Sequence, residues 1–248
     1  MPLDYEFKEI DQIGQDTLNA LDNANALNRW MYDAISPFCK GDILEIGSGI
    51  GNISVHFLKN HRRLLVSDIR EHYCEVLRKK FESDSNCLGI MKIDLVHHEF
   101  DLQYQPLFQR FDTVFALNVI EHIEKDHLAL ANASKFLKPG GNLIILVPSY
   151  SFLFNEFDRQ LEHYRRYTVK SLELLFVNQK LKVIHSQYFN LAGIAGWFFS
   201  GHLLKRKIIP EGQLKLFNRL VPFFKLLDAL VLKRAGLSSI VVGHKSGQ

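Results

Sequence analysis

The 248-residue sequence predicts an α/β protein built on a doubly wound sheet. Strand-like and helix-like stretches alternate through residues 42–190. One strand run, "NLIILVPS" (142–149), is apolar almost throughout, as in a strand covered on both faces. An earlier one enters a turn of alternating glycines, "LEIGSGIGNIS" (44–54), that becomes helix-like within a few residues.

The elements follow in order. Residues 1–40 read as helices leading to "NRWMYDAISPF", where Pro37 ends the pattern. Residues 42–46 are a strand and 52–59 a helix. "RLLVSDI" (63–69) is the next strand and "REHYCEVLRKKF" (70–81) the next helix. "CLGIMKIDL" (87–95) and "FDTVFALNV" (111–119) are further strands. "HIEKDHLALANASKFL" (122–137) has helical periodicity and stops at the Pro-Gly breaker "KPGG". After the apolar strand at 142–149, Thr168 is an N-cap for the helix "VKSLELLFVNQK" (169–180). "LKVIHSQYF" (181–189) and "SSIVVGH" (238–244) close the strand list. Between them residues 191–236 are apolar and basic and predict two or three amphipathic helices. The chain divides into an N-terminal helical cap (1–40), a core (41–190 and 237–246) and a helical lid insert (191–236) within one domain.

Composition narrows the function classes. No apolar run is long enough to span a bilayer, and the acidic start "MPLDYEFKEIDQ" does not read as a signal peptide. Cys39, Cys74 and Cys87 lack metal-ligand spacing and read as buried thiols of a reducing cytoplasm. From Lys180 onward eleven Lys/Arg face two Asp/Glu, a local charge of +9 against −6 for the rest. Such asymmetry suits an anionic partner or a solvated basic face.

The glycine turn carries the first functional signal. Gly47, Gly49 and Gly51 stand at the carboxyl end of the first strand, where a doubly wound sheet binds ligands. Glycine permits positive φ and lets a ligand touch backbone. A dinucleotide fingerprint is Gly-x-Gly-x-x-Gly, but Asn52 stands where its last glycine belongs, which disfavours a nicotinamide oxidoreductase. Asp68, ending the second strand, suits the ribose hydroxyls of any adenosine-type ligand.

"ILEIGSGIGNIS", "SDI", "KIDL", "FDTVFALNVIEHI" and "LKPGGNLIILVPS" resemble the ordered motifs of class I S-adenosylmethionine-dependent methyltransferases, from about residue 42 to 148. The resemblance implies a seven-stranded Rossmann-like sheet whose last strand is antiparallel, with S-adenosylmethionine as cofactor. It places Glu45, Gly47 and Gly49, with Ser48, Gly51 and Asn52 of the same turn, around the methionine end. It gives Asp68 the ribose, Ile69 and Leu95 the adenine faces, and Asp94 the adenine amino group. Leu117 and Asn118 fall near the sulfonium. The residue types suit these tasks: carboxylates accept from hydroxyls and amines, and apolar side chains hold a flat base.

Methyl transfer from a sulfonium is an in-line displacement, so orientation, worth roughly 7–11 kcal/mol, outweighs a general base worth about 10²–10⁴ in rate. His122, in "NVIEHI", and His163, in "DRQLEHYRRYT", both suit the base role. The density of aromatics and arginines in "EHYRRY" marks Tyr164, Arg165 and Arg166 for acceptor contact, along with Trp30, Tyr150 and Trp197. Trp197, Phe198, Phe199, Phe217, Phe223 and Phe224 of the insert are expected to pack against the N-terminal helices and "EHYRRY" as a roof, with Lys205-Arg206-Lys207 at its edge. Some related O-methyltransferases hold a divalent cation through Glu-x-x-Glu-His; here Asn118 replaces the first Glu, and no metal is expected.

The C-terminal half also resembles a bacterial subgroup often linked with glycosyltransferases and secondary metabolism. It implies a small-molecule, glycan or lipid-linked acceptor, methylated on O or N, and no DNA partner. The cysteine pattern predicts a cytoplasmic protein, and the apolar, basic insert suits peripheral contact with the inner face of the membrane. An RNA methyltransferase using the basic tail and a non-catalytic cofactor-binding module stand as alternatives.

Overall fold

The computed structural model describes residues 8–9, 12–22, 24–203 and 211–247. Seven strands form one sheet: β1 (Ile43–Ile46), β2 (Leu64–Asp68), β3 (Cys87–Lys92), β4 (Phe111–Leu117), β5 (Leu137–Pro148), β6 (Leu181–Phe189) and β7 (Ser238–Lys245). Their order is β3-β2-β1-β4-β5-β7-β6. The first five pair in parallel. β7 enters antiparallel between β5 and β6, as the class I resemblance implied. Strand order reverses between β1 and β4, so the crevice at their carboxyl ends is the ligand position of this topology.

Period-2 alternation feeds two cores, one on each side of the sheet. On β5, Leu143, Ile145 and Val147 face one way. They meet α5 (Phe100–Tyr104), α6 (Asp126–Lys135) and α8 (Val169–Asn178) through Phe100, Ala129, Leu130 and Phe176. Ile144 and Leu146 face the other way, toward α2 (Asn25–Ile35), α3 (Ser54–Lys59) and α4 (Glu71–Phe81). Thr168 caps α8 by accepting from the Ser171 N–H, as its position in the sequence predicts.

Two elements differ from the sequence expectation. The helix expected over 122–137 begins only at Asp126, because the chain leaves β4 through a left-handed Asn118 (φ 54°) and a 3₁₀ turn at Ile120–His122. That helix ends at Lys135, before the breaker "KPGG", which lies inside β5, where the register jumps from Leu137 opposite Phe111 to Asn142 opposite Thr113.

The described helices of the N-terminal region and of the insert pack together. α1 (Gln12–Asp22) and α2 both contact α10 (Glu211–Leu230), and α9 (Leu191–Trp197) leads into a π-helical turn, Phe198–Leu203. The amino end of α2 has no side-chain cap of its own. Asn218 of α10 supplies one, its Oδ1 accepting from the Ala26 and Leu27 N–H groups at 2.8 and 3.1 Å. Phe217 and Phe224 pack on the core beneath, but Phe198, Phe199 and Phe223 are exposed, contrary to the expectation that every insert aromatic is covered. Lys205-Arg206-Lys207 lies outside the described residues.

Candidate active site

A cavity of about 760 Å³ opens over the β1–β4 crevice. The glycine turn forms its floor. Gly47, Gly49 and Gly51 all have positive φ (71°, 54° and 82°). What crowds them is the protein itself. A Cβ on Gly47 would stand 2.3 Å from Val119 Cγ2, and one on Gly51 would stand 2.4 Å from the Phe81 ring. Gly51 is therefore a packing glycine and does not line the cavity. Asn52 donates to the Leu18 carbonyl at 3.1 Å and so ties α1 over the turn.

The turn is laced to β2. Ser48 N–H donates to the Ser67 carbonyl (2.8 Å), and Gly49 N–H to Asp68 Oδ2 (2.8 Å). Asp68 Oδ1 takes the Arg70 N–H at 3.0 Å. Burial raises the Asp68 pKa, and these amides only partly offset it. Each carboxylate oxygen keeps a second lone pair for a ligand. Glu45 is deeper still. Burial pushes its carboxyl up to about 7, against hydrogen bonds from Ser54 and Ser48, with Asp68 adding to the rise. Ile69, Asp94, Leu95, Leu117 and Asn118 continue this wall. Asp94 is fixed by accepting from Val96 N–H at 2.9 Å and donating its own N–H to the Tyr104 hydroxyl at 3.0 Å.

The far wall comes from the 3₁₀ turn after β4, the "EHYRRY" segment and α9. His122, His163, Tyr164, Arg166 and Trp197 line it. At its centre Asp158, at the start of α7 (Glu156–Gln160), is fully buried. Its Oδ1 accepts from Arg166 Nε at 2.7 Å and faces His163 Nδ1 at 2.9 Å, while Oδ2 takes the Asn155 N–H. Burial would raise the Asp158 pKa, but His163 and Arg166 outweigh it and hold the carboxyl below its usual range. Arg166 also donates to the Ser149 carbonyl and lies 4.7 Å over the Trp197 ring. His122 stands edge-on to His163, ring centres 4.6 Å apart. His122 is exposed to the cavity interior yet enclosed by protein; burial, His163 and Arg70 press its pKa well below normal. Burial likewise lowers that of His163, against the pull of Asp158.

Three residues expected at the acceptor stand off the cavity. Trp30 is buried in the core, its ring 4.5 Å from Phe189. Tyr150 stacks between Phe152 and Tyr188. Arg165 pairs with Asp126 at 2.7 Å and donates to the Glu124 carbonyl. Two functional candidates escaped the sequence reading. Asp158, inside "DRQLEHYRRYT", carries no role in the sequence reading. Glu121 looked like part of a histidine motif, although a carboxylate in the apolar run "NVIEHI" is itself a signal. Its side chain is fully buried in the cavity wall, and neither oxygen has a hydrogen-bond partner on another described residue. Burial pushes its pKa up to about 8, with its own N–H and Arg166 only partly compensating.

Glu45 gives a pH prediction. Its folded pKa of about 7 lies above the ordinary 4.5, so the folded state holds the proton more tightly. Stability of the cofactor-free protein is therefore lost as pH rises from about 4.5 to 7, by about 3 kcal/mol. Glu45→Gln removes this loss. Thermal melts should show the variant gaining on wild type between pH 5 and pH 8; a gap that does not change with pH would contradict the assignment.

Comparison with known proteins bears on this geometry. Residues 44–143 match the family model described as a methyltransferase domain. The highly reducing polyketide synthase sorA of Penicillium rubens is 28% identical over 116 residues, 43% of this chain but 4% of that protein. The chain thus spans a small fraction of the curated relatives it matches. Among solved structures, phosphoethanolamine N-methyltransferase 2 of Haemonchus contortus, in complex with S-adenosyl-L-methionine, superposes with a TM-score of 0.62 at 17% identity, covering 94% of this chain and 57% of that one. The cyclase SpnF superposes with a TM-score of 0.63 at 10% identity, covering 96% and 95%. At these identities the structures establish the fold, which a methyltransferase and a cyclase share.

Proposed function

We propose that the chain, which matches a methyltransferase-domain model over residues 44–143 and has the fold of an S-adenosylmethionine-bound methyltransferase, is an S-adenosylmethionine-dependent methyltransferase that methylates an oxygen or nitrogen atom of a small-molecule, glycan or lipid-linked acceptor. The observation that carries the proposal is the continuity of one cavity from Asp68 and the glycine turn to His122, His163 and Trp197. At about 760 Å³ it is of the size that holds a cofactor together with a small acceptor.

In this reading Asp68 takes the ribose, Ile69 and Leu95 sandwich the adenine, and Asp94 receives its amino group. Glu45 and the Gly47 and Gly49 backbone hold the methionine end, and the methyl points past Asn118. The acceptor lies between the histidine pair and Trp197. The buried Trp197 Nε1–H, which lacks an acceptor among the described residues, is available to orient it. A histidine base, or a cation held by the histidines, are the two ways this wall could take charge of the acceptor's proton. The orphaned Glu121 favours the second, argued below.

Within the acceptor set, α10 favours a lipid-linked molecule. Leu216, Leu220, Phe223, Leu226 and Leu230 are exposed on it, and Arg219, Lys233 and Arg234 are exposed on or just after it. Apolar residues mixed with Lys and Arg suit an anionic lipid surface. No helix among the described residues is long and apolar enough to cross a membrane. The protein should float with liposomes containing anionic lipid and not with neutral ones; failure to float with either removes the lipid-linked reading.

The function itself is tested by incubating the protein with S-adenosylmethionine and an extract of its host. One small-molecule, glycan or lipid species should gain the mass of one methyl group. Methyl recovered only in RNA, with binding that falls steeply with salt, would overturn the proposal.

A further inference from the structure

We propose that Glu121, His122 and His163 bind a divalent transition-metal cation in the cavity wall, facing the acceptor. Each offers a ligand atom, and these atoms lie within 4.8 Å of one another. Ligands on a tetrahedral ion with bonds of about 2.0–2.1 Å sit roughly 3.3–3.5 Å apart, a contraction that side-chain rotation supplies. The proposal reverses the sequence expectation of no metal. Asn118 does replace the first carboxylate of the Glu-x-x-Glu-His pattern, but His163 arrives from a distant segment to complete a set.

Three features of the cluster point to a cation rather than to chance proximity. First, the Glu121 carboxylate is sealed from solvent with neither oxygen hydrogen-bonded to another described residue. A buried carboxylate left so is costly, and a bound cation is the counter-charge that removes the cost. Second, one imidazole of the set already has a ring nitrogen engaged: His163 Nδ1 meets Asp158 Oδ1 at 2.9 Å. Such an outer partner fixes the tautomer and turns the other nitrogen's lone pair toward an ion. Third, Arg166 shares the same Asp158 oxygen at 2.7 Å, so the carboxylate that orients His163 is itself locked. Two histidines and one glutamate form a donor set for zinc or for other borderline divalent ions, with positions left open for substrate.

The cation's role rests on the methyl-transfer reading; its binding does not. A cation held there would favour the ionised form of an acceptor hydroxyl on an open position, whose proton would pass to solvent. The oxygen lone pair then forms the new C–O bond as the methyl C–S bond breaks, and that bond's electrons stay on sulfur. The products are the methyl ether, S-adenosylhomocysteine and one proton. The rival occupant of Glu121 is an acceptor amine with no metal at all.

The test uses the full-length protein, stripped with chelator and titrated with Co²⁺ and Zn²⁺. Co²⁺ should bind at one site per chain with visible absorption bands of nitrogen and oxygen ligation, and Zn²⁺ should displace it. Glu121→Gln, His122→Ala and His163→Ala should each weaken binding by more than the roughly 10–100-fold typical of losing a supporting partner, and Asp158→Asn by about that much. His98→Ala, at an exposed histidine, should change nothing. Circular dichroism and S-adenosylmethionine titration of each variant report folding and the cofactor site independently. No Co²⁺ binding by a folded protein that still binds S-adenosylmethionine would overturn the cation and leave the methyltransferase reading intact. Cation binding equal in wild type and all four cluster variants would overturn the site.

Discussion

Asp158→Ala is expected to lower the melting temperature by roughly 10 °C, the largest stability effect of any substitution named here. The physical reason is the charge left behind. Arg166 is 1% exposed at its side chain, and its ionic partner among the described residues is Asp158. Removing one member of a buried, hydrogen-bonded ion pair costs about 3–5 kcal/mol, because the survivor keeps its desolvation penalty. Asp158 also accepts the Asn155 N–H within the capping box of α7, so the start of that helix is loosened too. Asp158→Asn keeps the shape and part of the hydrogen bonding and should cost clearly less. Thermal melts of the two variants beside wild type check the account. If Asp158→Ala melts within a few degrees of wild type, the buried Asp158–Arg166 pair is not what holds this wall.

Asp68→Ala carries the largest expected effect on binding. Its carboxylate fixes two loop amides, Gly49 and Arg70, and presents its remaining lone pairs to the cavity. Loss of a charge-assisted contact costs roughly 1.5–3 kcal/mol, a weakening of about 10- to 150-fold. Calorimetric titration with S-adenosylmethionine should show that loss with the fold retained. Equal affinity in the variant would mean that the ribose lies elsewhere.

The contrast between these residues shows what a sequence can carry. The sheet, its seven strands and the glycine turn were legible because their signals are local: period-2 alternation, a strand ending in glycines, a carboxylate ending the next strand. Asp68 followed from position along a strand. The far wall was not legible in the same way. Arg165 and Arg166 are neighbours of the same type, yet one points outward to Asp126 and the other is buried against Asp158. Trp30 and Trp197 are likewise alike in type; one fills the core beside Phe189 and the other lines the cavity. Residue chemistry marked both members of each pair, and only tertiary packing separates them. Glu121 and His163 meet through contacts between distant segments, so their combined donor set has no signature in spacing. The exposed face of α10 shows the reverse case, in which an aromatic-rich stretch predicted full burial and the fold left Phe223 outside.

The most direct test of the central claim is an equilibrium titration of the wild-type protein with S-adenosylmethionine and, separately, with NADH. Saturable binding of one S-adenosylmethionine per chain and no binding of NADH is the predicted result. A folded protein that binds no S-adenosylmethionine, or that binds NADH in its place, would contradict it.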